Sequence, residues 1–419
     1  MDKSSNYEVK DLSLADKGML NIELAEQSMS ILTNIRERFR KEKPFAGLNI
    51  GMALHLTKET AVLVRTLVAG GANVAIASCN PLSTQDDVAA ALAKEGVTVF
   101  GYKGEDVDKY YEFIDKVISM KPNITIDDGC DLVSRIHDKY PSMITDIIGG
   151  CEETTTGVIR LRAMERDSSL KYPVAAVNDN KTKHLLDNYY GTGQSTIDGL
   201  VRSTNTLIAG KTFVVAGYGD CGRGLSLRAK GMGGNVIVTE VDKFKALQAS
   251  LDGYRVMPMI EAAKIGDIFI TVTGDINVID VEHVKEMKSG AIVANSGHFD
   301  VEINIKALNK TYQKRRIRES LEEYDVDGKK IYVCAEGRLV NLAAAEGHPS
   351  QVMATSFAGQ ALACEYLVKN KGKLKNGVVT LPTELDDDIA KIQLDALGIK
   401  IDTLTDEQIK YLSSWKEGT

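Results

Sequence analysis

Short uninterrupted apolar runs alternate with longer stretches whose apolar positions recur every three or four residues along most of this chain. The first amphipathic stretch spans 18–40. There Leu20, Ile22, Leu24, Ala25, Met29, Leu32 and Ile35 fall near a helical period among many charges. Apolar runs then predict strands at Leu48–Leu54, Asn73–Ala77, Val97–Tyr102, Asn123–Ile126, Thr145–Ile148 and Val174–Val177. Helical patterns fill the gaps at Glu59–Ala69, Asp86–Glu95, Lys109–Met120, Asp131–Lys139 and Gly157–Arg166. Strand and helix in alternation predict a parallel sheet with right-handed crossovers.

A second unit opens at Thr212. The apolar run Val214–Ala216 leads into Gly217, Gly219 and Gly222, a G-x-G-x-x-G pattern placed where a strand turns into a helix. The first glycine permits the tight turn, the second lets backbone N–H groups approach a pyrophosphate, and the third lets helix pack on strand. The positive end of the helix favours the anion. A further run, Val236–Val238, ends at Glu240, where a carboxylate can bind both hydroxyls of an adenosine ribose. Strands at Ile268–Thr271, Ala291–Ala294 and Ile331–Cys334 complete a six-strand pattern of the NAD type. Ser350–Val368 predicts a helix that returns to the first unit, and Lys369–Thr419 reads as a charged tail with a small helix-loop at Leu394–Ile401. The expected fold class is α/β, with two doubly wound Rossmann-like domains and a short C-terminal tail. The spans read as 1–187 for the substrate domain, 188–348 for the inserted NAD-binding domain, 349–375 for the return and 376–419 for the tail.

Composition narrows the class. The chain has 419 residues, 43% hydrophobic and 26% charged, as in ordinary globular proteins. A net charge of −7 gives no general attraction to nucleic acid or to anionic membranes. The basic run Lys314, Arg315, Arg316, Arg318 is answered by Glu319, Glu322 and Glu323, and reads as a solvated helix face. The polar N-terminus does not resemble a secretory signal, and no apolar run reaches the ~18 residues of a membrane span. Six scattered cysteines without C-x-x-C spacing predict reduced thiols, a cytoplasmic location and no metal site.

The candidate chemistry sits where strands end. His55, Thr57, Glu59 and Thr60 follow the first predicted strand of the sheet, Cys79 and Asn80 the second, and Asp127 and Asp128 the fourth. Glu152, Glu153, Thr154, Thr155 and Thr156 follow the fifth, and Asn178 and Asp179 the sixth. Ligands of open parallel sheets bind outside the carboxyl ends of the strands, so one rim collects an imidazole, carboxylates and hydroxyls. Between the units, Lys183 and Asp187 lie four residues apart on a short helical piece beside Asn188.

These residues fall in motifs. HLTKETAVL from His55, SCNPLSTQDD from Ser78, IDDGCDL from Ile126 and EETTTGV from Glu152 are followed by KTKHLLDNYYG from Lys181 and VAGYGDCGRG from Val215. NSGHFDVEI from Asn295, AEGRLVNLAAAEGHPS from Ala335 and QVMATSF from Gln351 complete the series. In this order the chain resembles the S-adenosyl-L-homocysteine hydrolases along nearly its whole length. The resemblance implies reversible hydrolysis of S-adenosylhomocysteine to adenosine and homocysteine. NAD oxidises the ribose at C3′, the C4′ proton becomes labile, homocysteine is eliminated, water adds and the hydride returns.

It also implies roles. Lys183, Asp187 and Asn188 handle the 3′-hydroxyl proton, with the Lys183 pKa expected to be lowered. Asp128 is the base for C4′, and His55 protonates the leaving group or activates water at an ordinary imidazole pKa of ~6.5. His298 lies near the homocysteine end. Glu153 holds the ribose; Thr57, Glu59, Thr60, His348, Met353 and Phe357 form the base pocket, Glu59 accepting from the N6 amine. NAD contacts are expected from Thr154, Thr155, Thr156, Asn188, Gly217, Gly219, Asp220, Cys221, Gly222, Glu240, Lys245, Thr273, Asp275, Ser296, Gly297, His298 and Asn341. A homotetramer follows from the resemblance alone.

Departures from the family pattern are Thr192 in place of a cysteine, Glu346 in place of an apolar residue, and Lys245 in place of an amide. A 2′-phosphate at Lys245 is opposed by Glu240, which keeps NAD over NADP. The chain's end at Trp415–Thr419 lacks the longer tail that in many relatives reaches a neighbour's NAD site. Two rival readings are a 2-hydroxyacid dehydrogenase and a regulatory binding protein.

Overall fold

The apolar runs pair side by side into two sheets of eight strands each. The computed structural model describes residues 6–416; residues 1–5 and 417–419, which begin the first expected span and end the last, lie outside it. The first sheet is parallel throughout. Its order is Tyr7–Glu8, Thr98–Phe100, Asn73–Ala77, Asn49–Ala53, Ile124–Asp127, Gly149–Glu152, Pro173–Ala176 and Gly377–Val379. From Asn49–Ala53 the chain first winds one way and then, from Ile124–Asp127, the other. The crevice at that reversal is where ligands of such sheets bind.

The second sheet runs Arg255–Val256, Asn235–Thr239, Thr212–Ala216, Ile268–Thr271, Ile292–Asn295, Lys329–Cys334, Leu321–Val326 and Gln313–Arg318. The last two joints are antiparallel. Its reversal lies between Thr212–Ala216 and Ile268–Thr271, beside the glycine fingerprint. Central strands of both sheets are apolar on both faces because helices cover each side; Val214, Val215, Ile268, Phe269 and Ile270 are all buried.

Four readings need correction. The stretch 18–40 is two helices, Ala15–Gln27 and Ser30–Glu42, broken at Met29, whose side chain is buried in the core. The strand placed at Thr145–Ile148 is Gly149–Glu152; Pro141 instead starts a tight turn of helix over Pro141–Asp146. The basic run 314–318 is an exposed edge strand, not a helix. Lys314 pairs across the hairpin with Glu322 at 3.1 Å and Arg315 with Glu323 at 2.9 Å, and such a charged edge discourages further strand addition. The stretch read as a tail is partly structural: Gly377–Val379 adds the last strand of the first sheet, and the helix Thr383–Ala396 buries Ile389 in that core.

Candidate active site

The carboxyl ends of the two sheets face each other across one cavity of about 1370 Å³. His55, Thr57, Glu59 and Thr60 line it after Asn49–Ala53, Asp128 after Ile124–Asp127, and Glu153, Thr154, Thr155 and Thr156 after Gly149–Glu152. The facing wall holds Gly217, Gly219, Asp220, Cys221, Glu240, Lys245, Thr273, Asp275, Ser296, Gly297, His298 and Asn341. Lys183, Asp187 and Asn188 enter from the linker, and His348, Met353 and Phe357 close the end. Gly222 is the exception. It does not line the cavity but lies under the turn, where an added Cβ would sit 1.9 Å from the Gly217 carbonyl oxygen, so its part is packing.

The linker geometry is unusual. After the helical turn Lys181–Lys183 the backbone widens into a π-helix over His184–Gly191. Lys183 Nζ therefore reaches both Asp187 Oδ2 at 2.9 Å and Asn188 Oδ1 at 2.8 Å, with Glu153 Oε1 at 3.8 Å. His348 Nδ1 pairs with the other Asp187 oxygen, so the two chain crossings between the sheets touch at the site. Lys183, Asp187 and Glu153 are nearly inaccessible, whereas Asn188 and His348 are half-buried. The expectation of a lowered Lys183 pKa fails here. Its neighbours are carboxylates, not cations; although burial alone would lower it, Asp187 and Glu153 raise its pKa above the ordinary value. Asp187 is correspondingly held well below the usual carboxylate range, burial being outweighed by Lys183 and His348.

At the other end Asp128 stands between two imidazoles. His55 Nε2 lies 3.5 Å from Asp128 Oδ2 and His298 Nδ1 lies 3.4 Å from Asp128 Oδ1. His55 Nδ1 is fixed by Ser83 Oγ at 2.7 Å. Gly129 (φ 106°) admits His298: a Cβ there would lie 2.3 Å from its Nε2. Burial pushes His55 down to about 4, away from the ordinary imidazole value expected from sequence, so it rests neutral. Linear spacing offered no metal-ligand cluster, yet folding brings His55, Asp128 and His298 together as a group with the donor atoms to hold an ion. Their mutual distances equally suit proton transfer.

The floor is acidic. Glu152 Oε1 accepts from the N–H groups of Gly129 at 2.8 Å and Thr154 at 3.1 Å, tying two rim loops together. Glu153 accepts from Ser356 Oγ and Gln360 Nε2. Burial raises Glu153 and Asp127 to about 7 each. An unfolded chain would shed those protons near pH ~4, so their contribution to stability is whole below that and is lost as pH rises through about 7. His55 works in the opposite direction: its contribution is present above pH ~6.5 and is lost as pH falls through about 4. Between about pH 6 and about pH 8 the melting temperature of the ligand-free protein should therefore fall, and Glu153→Gln should flatten that slope. A flat or rising curve in the parent protein would remove these assignments.

The cofactor wall is built as the fingerprint demands. Gly217 (φ 102°) makes the turn, Gly219 has open space before its Cα, and the helix Asp220–Gly231 begins there. Both oxygens of Glu240 are anchored by backbone N–H groups, Tyr218 at 2.7 Å on one and Val241 and Asp242 at 2.7 and 2.9 Å on the other. Thr156 Oγ1 and Asn341 Oδ1 are buried polar atoms without a partner, both on the cavity wall. Orphaned polar atoms of this kind imply a bound group that satisfies them.

Residues without a role in the sequence reading prove to position the site. Ser83 orients His55, and Ser356 and Gln360, one helical turn apart, hold Glu153. His184 Nδ1 pairs with Asp220 Oδ2 at 3.1 Å. Asp386, from the supposed tail, accepts from Lys181 N at 2.6 Å and Thr182 N at 3.1 Å, capping the turn that carries Lys183. The helical spacing of Ser356 and Gln360 was legible; the reach of Asp386 across 200 residues was not. Asp386→Ala should cost about 1–2 kcal/mol of stability by loss of the cap, with a lower turnover as Lys183 loosens. Unchanged melting and rate would exclude that support.

Comparison with known proteins agrees with this geometry. The S-adenosyl-L-homocysteine hydrolase family matches over residues 6–140, and the NAD binding domain of S-adenosyl-L-homocysteine hydrolase over residues 188–347. An adenosylhomocysteinase of Aquifex aeolicus is 59% identical and one of Saccharolobus solfataricus 58%, each covering 99% of this chain and 100% of the relative. An S-inosyl-L-homocysteine hydrolase of Methanocaldococcus jannaschii is also 58% identical, over 99% of this chain and 100% of its own length.

Proposed function

Because the chain belongs to the S-adenosyl-L-homocysteine hydrolase family, we propose that it cleaves S-adenosyl-L-homocysteine reversibly to adenosine and L-homocysteine, as an NAD-dependent enzyme. The observation that carries this reading is a single cavity holding the Lys183–Asp187 cluster, the His55–Asp128–His298 cluster and the fingerprint turn together. The residues fit NAD: Gly219 clears space for a diphosphate at a helix N-terminus, Glu240 presents an anchored carboxylate, and Thr156 and Asn341 supply partnerless polar atoms. When bound, NAD takes a hydride reversibly from ribose C3′, and the ketone so formed makes the C4′ proton acidic.

The protein's own groups move the protons. Lys183 rests as an ammonium and must empty before it accepts. It can pass its proton to Glu153, 3.8 Å away and the more basic of its two carboxylate neighbours, as it takes that of the 3′ hydroxyl, while Asp187 stays ionised beside it. Asp128 takes the C4′ proton. Neutral His55, 3.5 Å away, receives it and delivers it to the departing sulfur, then accepts one from the incoming water as its oxygen adds to C5′ and returns that proton through Asp128 to C4′.

The base preference is a further step, because relatives of equal identity carry either name. Glu59 is an acceptor-only carboxylate on the pocket wall. It suits a 6-amino group that donates and repels a 6-oxo group that does not. We therefore assign adenosyl over inosyl substrate. The test compares kcat/KM for the two thioethers: a ratio above about 100 is expected when a 6-oxo group faces the buried Glu59 carboxylate with no proton to donate, and a ratio at or below one would overturn the assignment.

The same reading keeps 188–348 as the cofactor-binding unit, 1–187 with 349–375 as the substrate side, and a cytoplasmic homo-oligomer. Six free cysteines fit that compartment, and no helix among the described residues is long and apolar enough to cross a membrane. Phe244, Leu247 and Leu251 form an exposed apolar stripe on the helix Lys243–Leu251, which favours self-association. Light scattering of the purified protein that gave a monomer would refute the oligomer.

A further inference from the structure

Glu59 does not stand alone. Its Oε1 accepts from Ser350 Oγ at 2.6 Å and lies 3.5 Å from the ammonium of Lys58, the residue before it. Lys58 is also claimed from the other side, by Glu346 Oε2 at 2.8 Å, and Arg202 stands 3.7 Å from the second oxygen of Glu346. Gln85 fixes the separation of the two backbones. Its side chain accepts from Lys58 N at 3.0 Å and donates to the Glu346 carbonyl at 3.4 Å. Lys58 is thus a single cation shared unequally between two carboxylates on the cavity wall, nearer to exposed Glu346 than to buried Glu59. Its side chain is 13% exposed, that of Glu59 2% and that of Glu346 60%.

We propose that Glu346 is a specificity-positioning residue: by drawing Lys58 away from Glu59, it leaves the Glu59 carboxylate free to accept from the 6-amino group of the base. The proposal rests on the reading that Glu59 faces that group. Without the Glu346 charge, Glu59 is the nearest carboxylate left to Lys58. A paired, partly neutralised Glu59 accepts less well from an amine and repels a 6-oxo group less, and the ammonium adds a donor for that oxygen. Both changes lower the preference for the 6-amino base.

The sign of the effect separates this role from a merely structural one. In Glu346→Gln the adenosyl-to-inosyl ratio of kcat/KM should fall about three- to fivefold, the range of a partly exposed ion pair. Adding Lys58→Met to that variant should restore the ratio to that of Lys58→Met alone, because no cation then remains to move. Salt gives a test without a Glu346 variant. Raising ionic strength screens the exposed Lys58–Glu346 pair more than the buried Lys58–Glu59 contact, so the ratio should narrow in the parent enzyme and not in Lys58→Met. An unchanged ratio in Glu346→Gln, or a loss that Lys58→Met does not repair, overturns the proposal. If Glu59→Gln collapses the ratio in the same series, the base assignment survives that failure; if Glu59→Gln changes nothing, the base assignment itself is wrong.

Discussion

Lys183→Met should lower turnover by about a thousandfold or more while the protein still retains its nucleotide. Two consequences of the geometry combine. The 3′ hydroxyl loses the group that takes its proton, and Asp187 and Glu153 lose the cation that sits 2.9 and 3.8 Å from them. Buried carboxylates left without a counter-charge cost about 3–5 kcal/mol, relieved in part when they take up protons. The variant should therefore be less stable, and more so as pH rises. Lys183→Arg should not restore the rate, because a planar fork does not replace a point charge on this relay. The readout is reduction of the bound nicotinamide on adding adenosine, which isolates the first half of the reaction. A variant that reduces its cofactor within about tenfold of the parent rate would remove Lys183 from the chemistry.

Gly222→Ala is expected to purify without nucleotide and to melt earlier by the cost of overpacking, about 1–3 kcal/mol. Its Cβ would lie 1.9 Å from the oxygen and 2.7 Å from the carbon of the Gly217 carbonyl, both backbone atoms that cannot swing aside. The turn must move, and with it the positive helix end. Gly219→Ala should lose nucleotide by a different route. Nothing lies within 4 Å of the point its new Cβ would occupy, so the cofactor-free fold is untouched and only the space for the diphosphate is taken. Denaturing the two purified variants and assaying released nucleotide, beside their cofactor-free melting curves, distinguishes the cases. Nucleotide retained by Gly222→Ala at parental levels would contradict the packing argument.

What the chain disclosed in advance followed from physical periodicity. Apolar runs such as Val214–Ala216 could only be buried strands, and the residues just after them had to share a rim. Thus His55, Asp128 and Glu153 fall on one edge by their order along the chain alone. The electrostatics were not legible, because they depend on partners distant in sequence. Lys183 looked like a base in search of cations; Asp187, four residues on, could be placed beside it from spacing, but folding adds the carboxylate of Glu153 and no cation. His55 looked like an ordinary imidazole, and burial made it a neutral one. The edge strand 313–318 was missed because its pattern is charge without alternation; its partners, Glu322 and Glu323, declare the hairpin only once the turn Asp327–Gly328 is seen to hold positive φ on the next hairpin of that edge. Gly377–Val379 is too short to announce itself as a strand.

That last short strand has a consequence during synthesis. Pro173–Ala176 leaves the ribosome about two hundred residues ahead of the segment that covers its flank. At a translation rate of roughly 5–20 residues per second, the first sheet waits about 10–40 s with an open border while the whole nucleotide unit is made and folds. The nascent protein is then a finished cofactor module hanging from an unfinished one, and sealing that border is among the final acts of maturation.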